Sequence, residues 1–277
     1  MLLDAHFHPL SCPQYFPTSS DIYTNSKVNI EGVGASSCPQ EWEELRQWSC
    51  RQKQPFILGL HPWLAEVLAV DNQGESKLQN YLRHLDKLLS KVPLPCAIGE
   101  IGFDKVHNRQ ANFAWQKKLF IAQCQLAQKY SLPIVIHCVK SYNHLFDALS
   151  ELNQQFKQPL PKGFIHAFWA APELAVRLIK FNFYISLNSK LVSKAAASST
   201  CAERVKLMAL AKVIPLQNLL LESDAPWGAS SSAALKKLCT FLAPYWSVSA
   251  TQLQEICQYN LHLFYNLPLY QFKPSRL

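Results

Sequence analysis

Short apolar segments recur along the chain and alternate with longer segments whose apolar residues follow a helical period. Each short segment is rich in β-branched or aromatic residues and is bounded by turn residues, which is typical of a buried strand. Eight segments fit this description, namely Leu2 to Ala5, Val28 to Val33, Phe56 to Leu60, Cys96 to Ile98, Ile134 to Ile136, Phe164 to Ile165, Phe183 to Leu187 and Leu219 to Leu221. Eight alternations of strand and helix predict an α/β fold, a (β/α)8 TIM-type barrel, with an open doubly wound sheet as the alternative.

Two helices have clear sequence signals. The segment from Ala111 to Tyr130 has a mostly apolar stripe and ends before Leu132 and Pro133. The last helix begins at Ser249, whose hydroxyl can cap the first turn while the side chain of Gln252 reaches back. The predicted buried face of this helix consists of Leu253, Ile256, Leu263 and Phe264.

The chain contains no internal repeat, low-complexity tract or Gly/Ser-rich linker that would divide it. With 277 residues and 49% hydrophobic content it can bury one sizeable core, so we expect a single domain over residues 1–277. Two segments, Ser11 to Ser26 and Ser186 to Thr200, have the composition of long loops.

Composition also bounds the compartment and the partners. Nine cysteines without a C-x-x-C pair favour reduced thiols in a cytoplasmic protein over a disulfide framework. The N-terminus lacks a signal-peptide pattern, and the apolar stretch from Phe56 to Val70 is interrupted by polar residues, so we expect a soluble protein without a membrane span. The formal charge of +8 favours anionic partners, although no dense Lys/Arg run marks a nucleic-acid patch. No feature indicates an obligate protein partner, and we expect a monomer.

Asp4, His6 and His8 alternate at the end of the first predicted strand, so their side chains share one face. Two imidazoles on one face can share a cation, or they can form a hydrogen-bonded pair in the core. Asp4 is better suited to orient such a ligand than to bind the metal itself.

Further metal-competent side chains follow other predicted strands. Glu100 lies between Gly99 and Gly102, with Asp104 shortly after, and either carboxylate could instead pair with a lysine at the rim. His137 and His166 follow the fifth and sixth strands, where a lone histidine is more often structural.

Asp224 follows the eighth strand in a D-x-P turn, a pattern that can also serve only to stop a strand. The joint pattern is more specific than any part of it, because all these residues fall at the strand carboxyl ends, where barrel enzymes place their chemistry. Four histidines and two carboxylates suit two divalent ions such as Zn²⁺, Mn²⁺ or Mg²⁺.

The ordered set of motifs resembles the TatD-related DNase family of the amidohydrolase superfamily, over nearly the whole chain. The segments that carry the resemblance are Asp4-Ala5-His6-Phe7-His8, Gly59-Leu60-His61-Pro62, Ile98-Gly99-Glu100-Ile101-Gly102-Phe103-Asp104, Gln116-Lys117-Lys118-Leu119-Phe120, Leu132-Pro133-Ile134-Val135-Ile136-His137, Glu222-Ser223-Asp224-Ala225-Pro226 and Asn260-Leu261-His262-Leu263-Phe264. The resemblance implies one metal held by His6, His8, Glu100 and Asp224, and another held by Glu100, His137 and His166. It also implies that His61 lines the substrate pocket, although a histidine tied to the rim by hydrogen bonds is an equal alternative.

Three departures from the family pattern concern the substrate more than the metals. Pro9-Leu10-Ser11 stands where the family has an acidic residue, and Val139 stands where it usually has an arginine, with Lys140 beside it. Trp169 replaces a smaller residue and could narrow the pocket or stack on a base.

The resemblance implies a deoxyribonuclease in which metal-activated water attacks phosphorus, with Asp224 accepting its proton and Glu100 shared by the metals. His61 and Lys140 are the candidates for gripping phosphate. A barrel-mouth pocket fits free single-stranded DNA ends better than an intact duplex, so we expect a 3′-exonuclease. A metal hydrolase acting on amides, lactones or small esters remains the first alternative because of Val139, and a non-catalytic binding or scaffold protein the second.

Overall fold

A computed structural model describes residues 3–10, 31–93, 95–107, 112–192, 202–225 and 231–268. Its strands are β1 (Asp4–Phe7), β2 (Gly32–Ala35), β3 (Phe56–Leu58), β4 (Ala97–Asp104), β5 (Ile134–Val139), β6 (Gly163–Ile165), β7 (Tyr184–Asn188) and β8 (Leu219–Glu222). The strand order in the sheet follows the chain order from β1 to β8. The helices are α1 (Trp42–Gln52), α2 (Leu64–Val70), α3 (Gly74–Leu89), α4 (Phe113–Tyr130), α5 (Tyr142–Gln155), α6 (Pro172–Lys180), α7 (Ala202–Val213), α8 (Ser231–Leu242) and α9 (Ala250–Tyr265).

The described residues form two compact units. Unit 1 takes its residues from Met1–His8, Ser20–Val33 and Phe164–Leu277, and unit 2 takes its residues from Pro9–Ser19 and Gly34–Gly163. The expectation of a single domain over residues 1–277 therefore stays a prediction.

In unit 2, β3 pairs with β4 and β4 pairs with β5, all in parallel. The β4–β5 register contains a bulge, because Ile98 faces Ile134 whereas Ile101, three residues on, faces Ile136, only two residues on. A bulge inserts one extra residue and re-aims the side chains beside it. Glu100 lies in this bulge.

In unit 1, β6, β7 and β8 are parallel neighbours. Helix α9 begins with the predicted capping box, in which the Ser249 hydroxyl accepts from the Gln252 amide and the Gln252 side chain accepts from the Ser249 amide. Near its end the Tyr265 hydroxyl donates to the Ala5 carbonyl at 2.9 Å. The last helix is thereby joined to β1.

The structure confirms the predicted alternation of strands and helices but moves several boundaries. β4 runs on from the predicted end at Ile98 to Asp104, and β5 runs on to Val139. Residues 186–188, predicted as the start of a loop, belong to β7 instead, since their backbone pairs with β8. The predicted loop over Ser11 to Ser26, the first half of the Val28 to Val33 strand and residues 193–200 lie outside the described residues.

The prediction for the buried face of α9 is partly wrong. Leu253 and Phe264 are buried, but Leu263 is 37% exposed and Ile256 is half-buried. The buried stripe passes instead through Cys257 and Leu261, because residues four apart stay on one side of a helix. No helix within the described ranges is long and apolar enough to cross a membrane.

Candidate functional site

Four predicted ligands come together in unit 1 and form what we call the β1/β8 cluster: His6, His8, His166 and Asp224. His6 lies on β1 and His8 directly follows that strand, while His166 follows β6 and Asp224 follows β8. The three histidines are buried and Asp224 is partly exposed. The carboxyl ends of these strands therefore bring together residues up to 218 positions apart, counted from His6 to Asp224.

The geometry of the β1/β8 cluster suits a divalent cation. The Nε2 atoms of His6 and His8 are 3.3 Å apart, and His8 Nε2 lies 3.6 Å from Asp224 Oδ1. Ligand atoms of His6, His166 and Asp224 all lie within 4.8 Å of one another. Ligands bound at about 2.0–2.2 Å around one ion are separated by about 3 to 3.6 Å, so these nitrogen and oxygen atoms fit around an ion such as Zn²⁺ with small adjustments.

Asp224 is held in place by its backbone as well as its side chain. Its φ angle of 48° lies in the left-handed region, and its amide donates to the His6 carbonyl at 3.0 Å. Burial opposes ionisation of the carboxyl, but the His8 hydrogen bond and the neighbouring histidines outweigh burial and hold the pKa of Asp224 well below its usual range. Its second oxygen, Oδ2, accepts from Lys190 Nζ at 2.9 Å.

Asp4 orients the strand ends around this cluster. Its Oδ1 accepts from the amides of His6 at 3.1 Å and Ser223 at 2.9 Å, and its Oδ2 accepts from the Ser223 hydroxyl. The Asp4 carboxyl is fully buried, and burial raises its pKa to about 7. The Asp4 carboxylate thus binds two backbone amides and the Ser223 hydroxyl, which agrees with an orienting role.

A second carboxylate, Glu222, lies behind His166. Glu222 is fully buried at the end of β8, and its Oε1 lies 3.3 Å from His166 Nδ1 while accepting from the Ala167 amide at 2.6 Å. A carboxylate on one ring nitrogen leaves the other nitrogen to face a ligand. Glu222 therefore fixes which edge of the His166 ring faces the cluster.

Three residues of unit 2 form what we call the β4/β5 cluster: His61, Glu100 and His137. All three side chains are buried. Glu100 Oε2 lies 3.1 Å from His137 Nδ1 and 3.6 Å from His61 Nε2. The glycines beside Glu100 allow this close packing, because a side chain at Gly102, whose φ is 140°, would overlap the His137 carbonyl.

His61 faces Glu100 as a proton donor when its ring is neutral. Its Nδ1 accepts from the Trp63 amide at 3.3 Å, so the neutral ring carries its proton on Nε2, toward Glu100. This arrangement favours a role in hydrogen bonding to a substrate over a role as metal ligand. Glu100 and His137 are then the cation ligands that the β4/β5 cluster offers.

Two of the three predicted substrate contacts, Lys140 and Trp169, lie outside both clusters. Lys140 is exposed and directly follows the partly exposed Val139, which ends β5. Its backbone φ of 51° lies in the left-handed region. Trp169 is half-buried, and the Lys206 ammonium lies 4.3 Å from its ring centroid while donating to its carbonyl. One face of the Trp169 indole is therefore already covered by a cation.

Comparison with known proteins decides the family. The sequence model of the family described as TatD related DNase matches residues 3–266 of this chain. The chain belongs to the TatD related DNase family. A relative named deoxyribonuclease Tat-D from Schizosaccharomyces pombe is 28% identical over 61% of this chain and 50% of that protein. A relative from Pantoea sp. named 3′-5′ ssDNA/RNA exonuclease TatD is 29% identical over 68% of this chain and 61% of that protein. The matched segments thus span about half to three-fifths of these relatives.

Solved structures agree on the fold. The crystal structure of the TatD homologue YjjV from Escherichia coli superposes with a TM-score of 0.71 at 19% identity, covering 96% of this chain and 98% of that one. This likeness and the eight parallel strands with helices between them confirm the (β/α)8 TIM-type barrel and exclude the doubly wound alternative.

Within unit 1, ligand atoms of His166 lie with those of His6 and Asp224, and within unit 2 those of His61 lie with Glu100 and His137. The assignment of ligands to two metals that the TatD resemblance implies, including the sharing of Glu100, stays a prediction.

Several residues of the site were given no role in the site by the sequence pattern. They are Trp63, Gln116, Gln123, Lys190 and Glu222. Helical patterning places the two glutamines on α4 but gives no reason to bury them, and Glu222 could have been noticed as a carboxylate at the end of an apolar strand. Trp63 and Lys190 carry no signal, since their roles depend on contacts with residues 41 and 34 positions away.

Proposed function

We propose that this protein is a metal-dependent nuclease that hydrolyses phosphodiester bonds, with a preference for the free 3′ ends of single-stranded DNA. We propose two divalent cations, one in the β1/β8 cluster and one in the β4/β5 cluster. The observation that carries this proposal is the convergence of imidazole and carboxylate ligand atoms within 4.8 Å in each cluster.

The donor chemistry narrows the choice of cation. Imidazole nitrogens suit Zn²⁺, and the accompanying carboxylates also accept Mn²⁺ or Mg²⁺. When bound, such cations lower the pKa of water and neutralise charge that develops on phosphoryl oxygens. The role of the protein is then to hold the ligands, the attacking water and the phosphate in line.

Three side chains have separate parts in the proposed reaction. Asp224 is ionised at neutral pH because its pKa lies well below the usual range. In the proposed reaction its carboxylate accepts the proton of the attacking water. The neutral His61 ring carries its proton on Nε2, 3.6 Å from Glu100, and can donate it to a phosphoryl oxygen that approaches this edge of the ring. Lys190 is 60% exposed and can bind a substrate phosphate while remaining close to Asp224.

The nucleic-acid substrate is supported by the relatives and by charge. The relatives from Schizosaccharomyces pombe and Pantoea sp. are named a deoxyribonuclease and a 3′-5′ ssDNA/RNA exonuclease. A net charge of +8 favours association with a polyanion. Trp169 and Lys206 together offer an aromatic surface and a cation, the two groups that single-strand binding uses. Lys140 remains a further candidate phosphate contact.

The decisive experiment follows end-labelled oligonucleotides during digestion. Chelator-treated protein is supplied with Zn²⁺, Mn²⁺ or Mg²⁺ and given single-stranded DNA, duplex DNA and RNA, each labelled at the 5′ end. We expect a ladder that shortens from the 3′ end of the single strand, and no products in EDTA. Glu100→Gln should abolish cleavage, while Glu75→Gln, which removes an exposed carboxylate paired with Lys118, should leave it intact. Cleavage that persists in EDTA or in Glu100→Gln would refute the proposal.

A second candidate activity is hydrolysis of lactones, amides or small esters. Val139 favours it, because this uncharged, partly exposed side chain ends β5 where the TatD pattern has an arginine that could contact phosphate. Bis-nitrophenyl phosphate, a lactone and an N-acyl amino acid tested beside the oligonucleotides separate the classes. Carbonyl hydrolysis without nuclease activity would establish the alternative, and no hydrolysis with no bound metal would indicate a non-catalytic protein.

A further inference from the structure

Asp104 contacts the predicted ligand His137 on the side of the ring opposite Glu100. We propose that Asp104, braced by Trp63, is a positioning residue that presents His137 Nδ1 to a cation in the β4/β5 cluster. The inference rests on the proposed cation site but not on the identity of the substrate.

Four nitrogen atoms lie within hydrogen-bonding distance of the Asp104 carboxylate. Oδ1 accepts from the amides of Val106 at 2.7 Å and His107 at 3.0 Å. Oδ2 accepts from Trp63 Nε1 at 2.9 Å and lies 2.9 Å from His137 Nε2. An indole or amide N–H can only donate, so both oxygens act as acceptors, which is the pattern expected of an ionised carboxylate.

The direction of the Asp104–His137 hydrogen bond follows from this count. Because Oδ2 of an ionised carboxylate has no proton, the proton of the Asp104–His137 hydrogen bond belongs to His137 Nε2. A neutral His137 ring then has its lone pair on Nδ1, which lies 3.1 Å from Glu100 Oε2. Two such electron pairs at this distance repel each other unless a proton or a metal cation lies between them, and the separation also suits two ligands of one ion.

The Asp104 backbone is fixed independently of its carboxylate. Gln116 accepts from the Asp104 amide and donates to the Asp104 carbonyl, both at 2.9 Å. The strand end therefore does not need the carboxylate to stay in place. This separation of roles makes the positioning function testable without loss of the fold.

Trp63 restrains the carboxylate from the other side. Its indole ring stacks on the His107 ring at a centroid distance of 3.8 Å and an interplanar angle of 13°. The stack fixes the direction of the indole N–H, so Asp104 Oδ2 is held against His137. A carboxylate behind a metal-binding imidazole typically contributes about 10- to 100-fold in metal affinity.

The experiment compares Asp104→Asn, Trp63→Phe and a control in the full chain. Cation affinity is measured by calorimetric titration of Zn²⁺ and Mn²⁺ into chelator-treated protein, and the His137 tautomer by ¹⁵N NMR of the histidine rings before metal is added. Asp86→Asn is the control, because it removes a surface carboxylate of α3 that is paired with Lys129 and belongs to neither cluster.

In Asp104→Asn the amide nitrogen can donate to His137, so the ring should move its proton to Nδ1 and one class of cation site should weaken about 10- to 100-fold. Trp63→Phe keeps the ring stack but removes the N–H, so we expect the native tautomer and a loss of about threefold. Asp86→Asn should match the parent protein. An unchanged tautomer and unchanged affinity in Asp104→Asn would overturn the inference, even if the variant were less stable. A protein with no nuclease activity whose affinity and tautomer still respond would uphold it while refuting the proposed substrate.

Discussion

The side chain of Gln123 is joined by two hydrogen bonds to the main chain of Leu60, 63 residues earlier. Its Oε1 accepts from the Leu60 amide at 2.6 Å and its Nε2 donates to the Leu60 carbonyl at 3.0 Å. Gln116, seven residues before it on α4, holds Asp104 in the same way. Residues seven apart lie on one face of a helix, so α4 anchors the residue before His61 and the end of β4 together.

Replacing Gln123 with alanine should destabilise the fold substantially. The change leaves the amide and the carbonyl of Leu60 buried without their partners, and each such group costs about 1–3 kcal/mol. We expect a loss of about 3 kcal/mol in the free energy of unfolding, measured by urea denaturation followed by circular dichroism. Gln128→Ala, which removes a surface bond to Gln158 from the same helix, should change stability by less than about 0.5 kcal/mol. Equal losses in the two variants would contradict the anchoring role.

Replacing Glu222 with glutamine should weaken cation binding at the β1/β8 cluster. Glutamine keeps the shape and the acceptor for the Ala167 amide but removes the charge that lies 3.3 Å from His166 Nδ1. A reduction of about 10- to 100-fold in the affinity of one class of sites is expected from calorimetric titration. Glu173→Gln, an exposed change in the first turn of α6, is the control and should bind as the parent does. Unaltered affinity in Glu222→Gln would show that His166 is oriented without this carboxylate.

Replacing Lys190 with glutamine should raise KM for single-stranded DNA more than it lowers kcat. The side chain is 60% exposed and carries its charge to within 2.9 Å of Asp224, where a substrate phosphate would approach. Binding measured between about 50 and 200 mM salt should show a salt slope reduced by about one in the variant. Lys212→Gln removes an exposed lysine at the end of α7 and provides the comparison. A fall in kcat alone, with the salt slope unchanged, would argue against phosphate binding.

The cysteines should differ sharply in reactivity. Cys50 is exposed, whereas Cys124 and Cys257 are buried, and burial raises the pKa of both of these thiols above the usual range. Because alkylation requires the thiolate, iodoacetamide should label Cys50 before Cys124 and Cys257 at mildly alkaline pH, as followed by peptide mass spectrometry. In concentrated guanidinium chloride the three sites should react alike. Rapid labelling of Cys124 in the native protein would mean that the buried face of α4 becomes exposed to solvent readily.

Many residues of the candidate site could be predicted from the sequence, because the end of a strand is marked by a local sequence pattern. An apolar run followed by a histidine or a carboxylate placed His6, His166 and Asp224 correctly at the ends of β1, β6 and β8. Parallel strands bring those ends to one edge, so six ligands could be proposed without coordinates. The start of the last helix was predicted correctly for the same reason, since a capping box is a pattern of only four consecutive residues, here from Ser249 to Gln252.

The sequence alone therefore determined the succession of strands and helices, the fold class and the types of ligand, because each depends on short-range pattern and composition. Only the tertiary structure decided that His166 lies beside His6 and that His61 lies beside His137. It also decided that Asp104 contacts the His137 ring and that Glu222 contacts the His166 ring. The direction in which a ring nitrogen points depends on bulges, buried glutamines and hydrogen bonds between distant residues. Those contacts form only when the chain packs, and no local pattern encodes them.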